Sequence, residues 1–361
     1  MKETCMFKKK LQKFDHKTLI KCLQAEDELQ QELFQLARQI KEEVFGKKIW
    51  FRGIIEFSNI CQNNCFYCGI RKGNKKLERF KVSKEEILDC LKFIDKANYG
   101  SVVYQSGELI SEIFKKYLLE IVKTTHKKYP QLGITVSCGE QDFNFLKKLK
   151  QAGAIRYLLR IETSNPELYA NLHPEKMSWE KRFGCLKSLQ KLDYQVGTGV
   201  MVGLPGQTIE DLIRDLKFFV DNKFDMFGIG PYVIHKDTPL GKDAKIQNWW
   251  QENKEKNFNI FLNFLAILRI LLPNVNIAAA TACDVFDSSG RIKVLQVAGN
   301  VIMPSVTPKD CRDKYLLYQN KPNIDEGADK SFKCILNKIK KAGLEPVFGE
   351  QGNSPFYYKH N

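Results

Sequence analysis

No apolar run in the 361 residues approaches the roughly 20 that span a bilayer. The longest candidate, Phe258 to Leu272, is interrupted by Asn263 and Arg269 and reads as a buried helix. The basic N-terminus, Met1 to Lys13, lacks the apolar core and small-residue cleavage site of a signal peptide. These absences argue against a membrane role and for a cytoplasmic protein. Internal repeats, low-complexity tracts and Pro-rich linkers are missing too, which argues against solenoids and tethered modules. The formal charge is +15, from 57 bases against 42 acids, yet no basic stripe interleaved with aromatics appears. Nucleic acid is therefore not an expected partner. The excess is mostly Lys along helices, as in Lys8–Lys10 and Lys338 to Lys341, and reads as a solvated face or a patch for an acidic protein.

Cysteine is the exception. Of 11 Cys, eight (Cys5, Cys22, Cys90, Cys138, Cys185, Cys283, Cys311, Cys334) show no pair spacing, so a disulfide framework is not expected and most read as small buried hydrophobes. The other three stand together in Asn59-Ile-Cys-Gln-Asn-Asn-Cys-Phe-Tyr-Cys-Gly69. Cys61, Cys65 and Cys68 place three thiols within eight residues, able to converge on one soft metal centre. Structural zinc wants four protein ligands, and no fourth Cys or His lies nearby. A complete iron–sulfur cluster takes four thiolates, so three leave one iron open to a ligand that is not protein. A zinc knuckle or unrelated buried thiols is the bland alternative.

Short apolar strands alternate with amphipathic helices along the chain. Strands are expected at Trp50–Phe57, Ser101–Gln105, Gly133–Ser137, Ile155–Arg160, Val196–Val202, Met226–Gly230, Val275–Thr281 and Asn300–Met303. Helices are expected at Lys84–Ala97, Ser111–Lys127, Asp142–Ala152, Ile209–Asn222 and Asn253–Leu272. Eight strands in about 250 residues suit a complete (β/α)8 TIM-type barrel, with a doubly wound sheet as the alternative. The expected organisation is an N-terminal helical lead-in (residues 1–48), the barrel (49–307) and a C-terminal cap (308–361) carrying a helix around Asp329–Lys341.

In a barrel the site lies at the C-terminal ends of the strands. The Cys run follows the first strand there, and polar clusters follow the others. Gln105-Ser-Gly-Glu108 offers a glycine for close backbone approach and a carboxylate for an ammonium group, or simply a turn with a helix N-terminal acid. Thr135-Val-Ser-Cys-Gly-Glu140 repeats the Gly-Glu ending. Arg160 and Glu162 alternate with apolar neighbours and so point into the lumen, where they must pair with each other or with a ligand. Arg182 suits a bidentate carboxylate grip but alone reads as a surface residue. Met201-Val-Gly-Leu-Pro-Gly-Gln-Thr208 ends in an N-cap, and Gly228-Ile-Gly-Pro-Tyr232 precedes a lone His235. In the tail, Tyr315 and Tyr318 bring hydroxyls toward the mouth.

CxxxCxxC with an aromatic before the last Cys resembles the radical S-adenosylmethionine (SAM) superfamily. With Ile54-Ile-Glu-Phe-Ser-Asn59, Gln-Ser-Gly-Glu, Leu-Leu-Arg-x-Glu-Thr, Met-Val-Gly-Leu-Pro-Gly-Gln-Thr, Gly-Ile-Gly-Pro-Tyr and Asn300-Val-Ile-Met-Pro304, the chain resembles the HydE family of FeFe-hydrogenase maturases from about Arg52 to Tyr318. That resemblance implies one 4Fe–4S cluster on Cys61, Cys65 and Cys68, with SAM on its open iron. Gly107 and Glu108 would hold the SAM amino group, Arg182 its carboxylate and Glu162 the ribose or amino group, with Tyr67 also in the cofactor site. Thr135, Arg160 and Tyr318 would face the substrate, a cysteine-ligated iron carbonyl cyanide complex on the route to the dithiomethylamine bridge. HydG, HydF and an electron donor are the implied partners. Ile161 stands where some members have His, and the tail offers only Cys311 and Cys334, so no auxiliary cluster is expected. The biotin synthase and methylornithine synthase branches, and a non-enzymatic zinc or iron–sulfur scaffold, are the rival readings.

Overall fold

The computed structural model describes residues 2–322 and 327–360; of the scattered cysteines, the side chain of Cys5 lies outside what is described. Eight parallel strands close into a barrel: Lys48–Ser58, Ser101–Ser106, Gly133–Ser137, Ala154–Leu158, Gln195–Thr198, Met226–Phe227, Asn276–Ala279 and Val301–Ile302. Closure comes from the last strand pairing with the first, Trp50 opposite Val301 and Phe51 opposite Ile302. A doubly wound sheet would leave both edges open, so the (β/α)8 reading holds. Among the described residues no helix is long and apolar enough to cross a membrane.

The connecting helices start where side chains can satisfy their first N–H groups. Ser83 with Glu86, and Thr208 with Asp211, form reciprocal capping boxes, while Ser111, Asp142 and Ser178 each cap the helix that follows. The Asn253–Leu272 expectation was short at its front. The helix runs Ala244–Leu271, because Asp243 caps it and Trp250 is buried well ahead of Asn253. The fifth and sixth strands also end early. Their continuations, Met201–Val202 and Gly230–Pro231, pair with each other as a separate ladder. A Cβ on Gly199 would meet the Gly228 carbonyl at 2.3 Å, so only glycine permits the crossing there.

The lead-in is three helices, Lys2–Gln12, His16–Leu23 and Asp27–Phe45. They join the Ala244–Leu271 helix in one apolar core that runs from Leu11 to Phe356. The tail reaches both ends of the barrel. Residues 308–322 lie over the mouth, where the Leu317 carbonyl accepts from the Gly69 N–H. After the Ala328–Lys341 helix, strand Glu345–Val347 adds in parallel to the start of the first strand. The following residues plug the base: Gly352 O accepts from Arg52 Nη2 (2.8 Å), and Gln351 O accepts from Arg156 Nη2 (2.8 Å).

Candidate active site

The mouth opens into a cavity of about 360 Å³ that collects residues from nearly every strand end. Cys61, Cys65 and Cys68 line it together with Tyr67, Gly107, Glu108, Arg160, Glu162, Arg182 and Tyr318. Thr135 does not. It is fully buried one layer lower, its hydroxyl 3.5 Å from Arg156 Nη1. His235 is buried outside the cavity, its Nδ1 accepting from the Asp237 N–H at 3.2 Å.

The cluster loop is held from both sides. Arg79 donates to the carbonyls of Asn59 (2.6 Å), Ile70 (2.8 Å) and Arg71 (2.6 Å), and the Gln62 N–H donates to Glu108 O (2.9 Å). Gly107 has no room for a side chain, since its Cβ would lie 2.4 Å from Ile60 O and 2.8 Å from Cys61 Cβ. Burial raises all three thiol pKa values, that of Cys68 to about 12. Thiols so shielded lose their protons to a metal, not to bulk water. Among the described residues no group of three or more His, Cys, Asp or Glu is arranged to hold a single ion. Three soft donors lining one chamber, with no fourth Cys or His among the lining, suit the irons of a 4Fe–4S cluster better than a four-ligand zinc site.

Polar groups facing the cluster loop are linked in series. Glu108 Oε2 accepts from the Glu140 N–H (2.8 Å), and Glu140 Oε1 accepts from Arg182 Nε (2.6 Å). Arg182 also donates through Nη1 to Arg160 O (2.8 Å), leaving Nη2 without a partner among the described residues. It is buried, not on the surface as its helix suggested in isolation. Burial disfavours its charge, but Tyr169, Glu140 and Glu108 outweigh that and hold its pKa well above the usual value. Glu162 adopts a left-handed backbone (φ 69°), fixed by its N–H to Gly199 O (3.0 Å) and by the Met201 N–H to its own carbonyl (3.1 Å). Its Oε2 stands 3.2 Å from Arg160 Nη2, yet the angle is no hydrogen bond and the oxygen is buried without an N–H or O–H partner. A buried carboxylate oxygen ion-paired with Arg160 but not hydrogen-bonded, a free guanidinium nitrogen and three thiols on one chamber fit SAM beside a cluster.

The roles of four residues, His173, Glu56, Glu140 and Lys321, were not read from the sequence, although Glu140 stood in a strand-end cluster. His173 is buried, stacked on Tyr169 with ring centroids 3.9 Å apart, and its Nε2 lies 3.3 Å from the Tyr67 hydroxyl. Burial lowers its pKa to about 3, so Nδ1–H donates to Tyr169 O (2.8 Å) and neutral Nε2 accepts from Tyr67. Glu56 alternates into the lumen like Arg160 and Glu162, so its pattern was legible; it pairs with Lys321 Nζ at 2.6 Å. Glu140 and Lys321 carry no local signal for their roles. Cys138 and Cys283 are buried outside the lining.

The model of the Radical SAM superfamily matches residues 55–219. The chain is 40% identical over 316 residues, 87% of its length and 86% of the relative's, to the [FeFe] hydrogenase maturase subunit HydE of Thermotoga maritima. The chain belongs to the HydE family. It is a radical SAM enzyme, and membership implies the 4Fe–4S cluster and SAM for which the chamber is furnished. A 3-methylornithine synthase of Methanosarcina acetivorans is 26% identical over 90% of this chain and 87% of its own. Among solved structures, methylornithine synthase superposes with TM-score 0.78 (23% identity, 95% of this chain, 98% of that one). The FeFe-hydrogenase maturase HydG of Carboxydothermus hydrogenoformans gives 0.75 (22% identity, 96% and 80%). At those identities the likeness concerns the fold.

Proposed function

We propose that this family member binds SAM across the cluster loop and acts, in FeFe-hydrogenase maturation, on a small iron complex carrying a cysteine ligand. The observation that carries the reading is the convergence of Cys61, Cys65 and Cys68 with Glu108, Glu162 and Arg182 on one chamber. When bound, the cluster and SAM supply one-electron cleavage of a carbon–sulfur bond and a 5′-deoxyadenosyl radical.

The protein's part is grip, orientation and exclusion of water. Glu108, with Gly107 alongside, receives the ammonium group. Arg182 offers Nη2 to the carboxylate while Glu140 holds its Nε (2.6 Å), so the guanidinium plane is set before ligand arrives. Glu162, ion-paired with Arg160 but with no hydrogen bond to Oε2, presents that oxygen to the ribose or ammonium, and Tyr67 is fixed by His173. Below, apolar side chains such as Ile54, Val103, Leu158 and Ala279 line the lumen and keep it dry for a reactive primary radical.

Beyond SAM, Arg160 and Tyr318 face the substrate space; Thr135, one layer lower beside Arg156, does not reach it. The cavity's charged lining comprises three acids (Glu56, Glu108, Glu162) and five bases (Arg160, Arg182, Arg291, Arg312, Lys321). With Glu140 on Arg182 and Asp284 on Arg291 those charges balance, and the substrate of this reading is a cyanide-bearing iron complex supplied by HydG, with HydF receiving the product. The test is anaerobic reconstitution followed by SAM cleavage and hydrogenase maturation assays. Dithionite-reduced protein is expected to form 5′-deoxyadenosine and the Cys65→Ala variant not to. Arg160→Ala is expected to keep slow SAM cleavage and lose maturation; normal maturation by Arg160→Ala removes that residue from the substrate site.

A further inference from the structure

Five large hydrophobic side chains are exposed among the described residues, and four lie in the first three strand-to-helix connections or the first turn of the helix that follows: Ile60 (37%), Ile110 (54%), Ile113 (79%) and Phe143 (44%). Hydrogen bonds tie these connections into one sector of the rim. The Gln62 N–H donates to Glu108 O (2.9 Å), Gln141 Nε2 donates to Leu109 O (2.9 Å), and Lys115 Nζ reaches Asp142 Oδ2 at 2.8 Å. Single exposed apolar residues need no explanation; a gathered set on an otherwise polar rim does.

The other flank of Ile60 is basic. Residues 71–81 carry Arg71, Lys72, Lys75, Lys76, Arg79 and Lys81 against Glu78 alone. This stretch is bound to the cluster loop: Asn59 Nδ2 donates to Glu78 O (2.8 Å), the Phe80 N–H donates to Asn59 Oδ1 (2.9 Å), and the Lys72 N–H donates to Asn63 O (2.8 Å). Lys76 is committed to Asp237 and Lys81 to the Tyr117 ring, but Lys72 and Lys75 are exposed and pair with no carboxylate among the described residues. On the apolar flank, Glu112 and Asp142 share Lys115, and Glu108 and Glu140 bond inward. The sector therefore shows solvent an apolar centre with a net positive edge, beside Cys61.

We propose that this sector, Ile60, Ile110, Ile113 and Phe143 flanked by Lys72 and Lys75, is the docking face for an acidic one-electron donor protein of the flavin or iron–sulfur class. The inference rests on the radical SAM reading of the chamber. Each turnover needs one electron: the reduced donor loses it, the cluster gains it, and no proton or atom moves. Electron transfer demands close approach, and Ile60 precedes the first cluster thiol in the chain. An acidic partner is steered by the Lys edge and by a chain of net charge +15.

The experiment compares reconstituted holoenzyme driven by dithionite with holoenzyme driven by reduced flavodoxin or ferredoxin, reading 5′-deoxyadenosine. Two double variants are used, Ile110→Glu/Ile113→Glu and Lys72→Glu/Lys75→Glu, each with iron content checked. Both are expected to raise the donor concentration for half-maximal rate about tenfold while leaving the dithionite rate within about twofold. Added salt is expected to weaken donor-driven turnover and not the dithionite rate. Unchanged donor dependence overturns the inference. So does loss of dithionite-supported hydrogenase maturation with normal donor-driven cleavage, which would assign the face to a partner maturase. The dithionite arm on the unaltered protein tests the chamber reading separately.

Discussion

Arg182 Nε donates to Glu140 Oε1 at 2.6 Å, joining residues 42 apart in sequence at one wall of the chamber. The same glutamate receives its backbone anchor from Glu108, so the two groups proposed to grip opposite ends of the amino acid moiety of SAM share a support. Glu140→Gln keeps an acceptor for Nε but removes the charge. The expected result is a roughly 3- to 10-fold rise in KM for SAM with kcat nearly kept, read from 5′-deoxyadenosine formation against SAM concentration.

His173 offers a separate test of cofactor orientation. His173→Phe removes the acceptor for Tyr67 and is expected to weaken SAM binding about fivefold; His173→Gln, which can still accept, is expected to restore most of it. An equal loss in both variants would show that His173 only fills space.

The same histidine makes stability depend on pH. Its folded pKa, about 3, lies below its ordinary 6.5, so its contribution is present above pH 6.5 and is lost as pH falls toward 3. The thermal midpoint of His173→Gln is therefore expected to fall less than that of the unaltered protein between pH 6.5 and 4.

Asp215 carries the opposite sign. It is fully buried, accepts from the Ser164 N–H at 2.6 Å, and burial raises its pKa from 3.8 to about 7. Its contribution is full below pH 3.8 and is lost as pH rises through 7. Asp215→Asn keeps the acceptor without the charge. It is expected to gain about 1–3 kcal/mol over the unaltered protein at pH 8 and little near pH 4, measured by denaturant unfolding.

The base plug is expected to be indispensable for folding. Arg52 and Arg156 are buried without a carboxylate partner among the described residues and depend on Gln351 O, Gly352 O and Asn353 Oδ1. Ending the chain after Phe348 strands two buried guanidinium groups, at about 1.5–3 kcal/mol for each charged hydrogen bond lost. Loss of a cooperative thermal transition is the expected outcome; a truncated chain that melts normally contradicts it.

Much of this was legible beforehand because it is local. A Cys-x3-Cys-x2-Cys run declares a thiolate site whatever surrounds it, and Arg160 and Glu162 reach the lumen as expected, although from beyond the end of the strand at Leu158 and, for Glu162, through a left-handed backbone. Thr208 capped its helix as its position before Ile209–Asn222 required. Thr135 failed to reach the cavity although it lies on a barrel strand, because layer height depends on strand tilt and stagger, which periodicity does not encode. Arg182 looked like a surface residue because its helix says nothing of what packs above it.

By itself, the sequence determined the thiol triad, the strand and helix alternation that a barrel needs, and most of the charged groups at the strand ends, since each follows from spacing within a few residues. Only the tertiary structure decided that Glu140 supports Arg182, that His173 holds Tyr67, that Lys321 crosses the mouth to Glu56, and that the tail seals the base. Those partners stand 42 to 300 residues apart, and only the folded barrel with its tail brings them together.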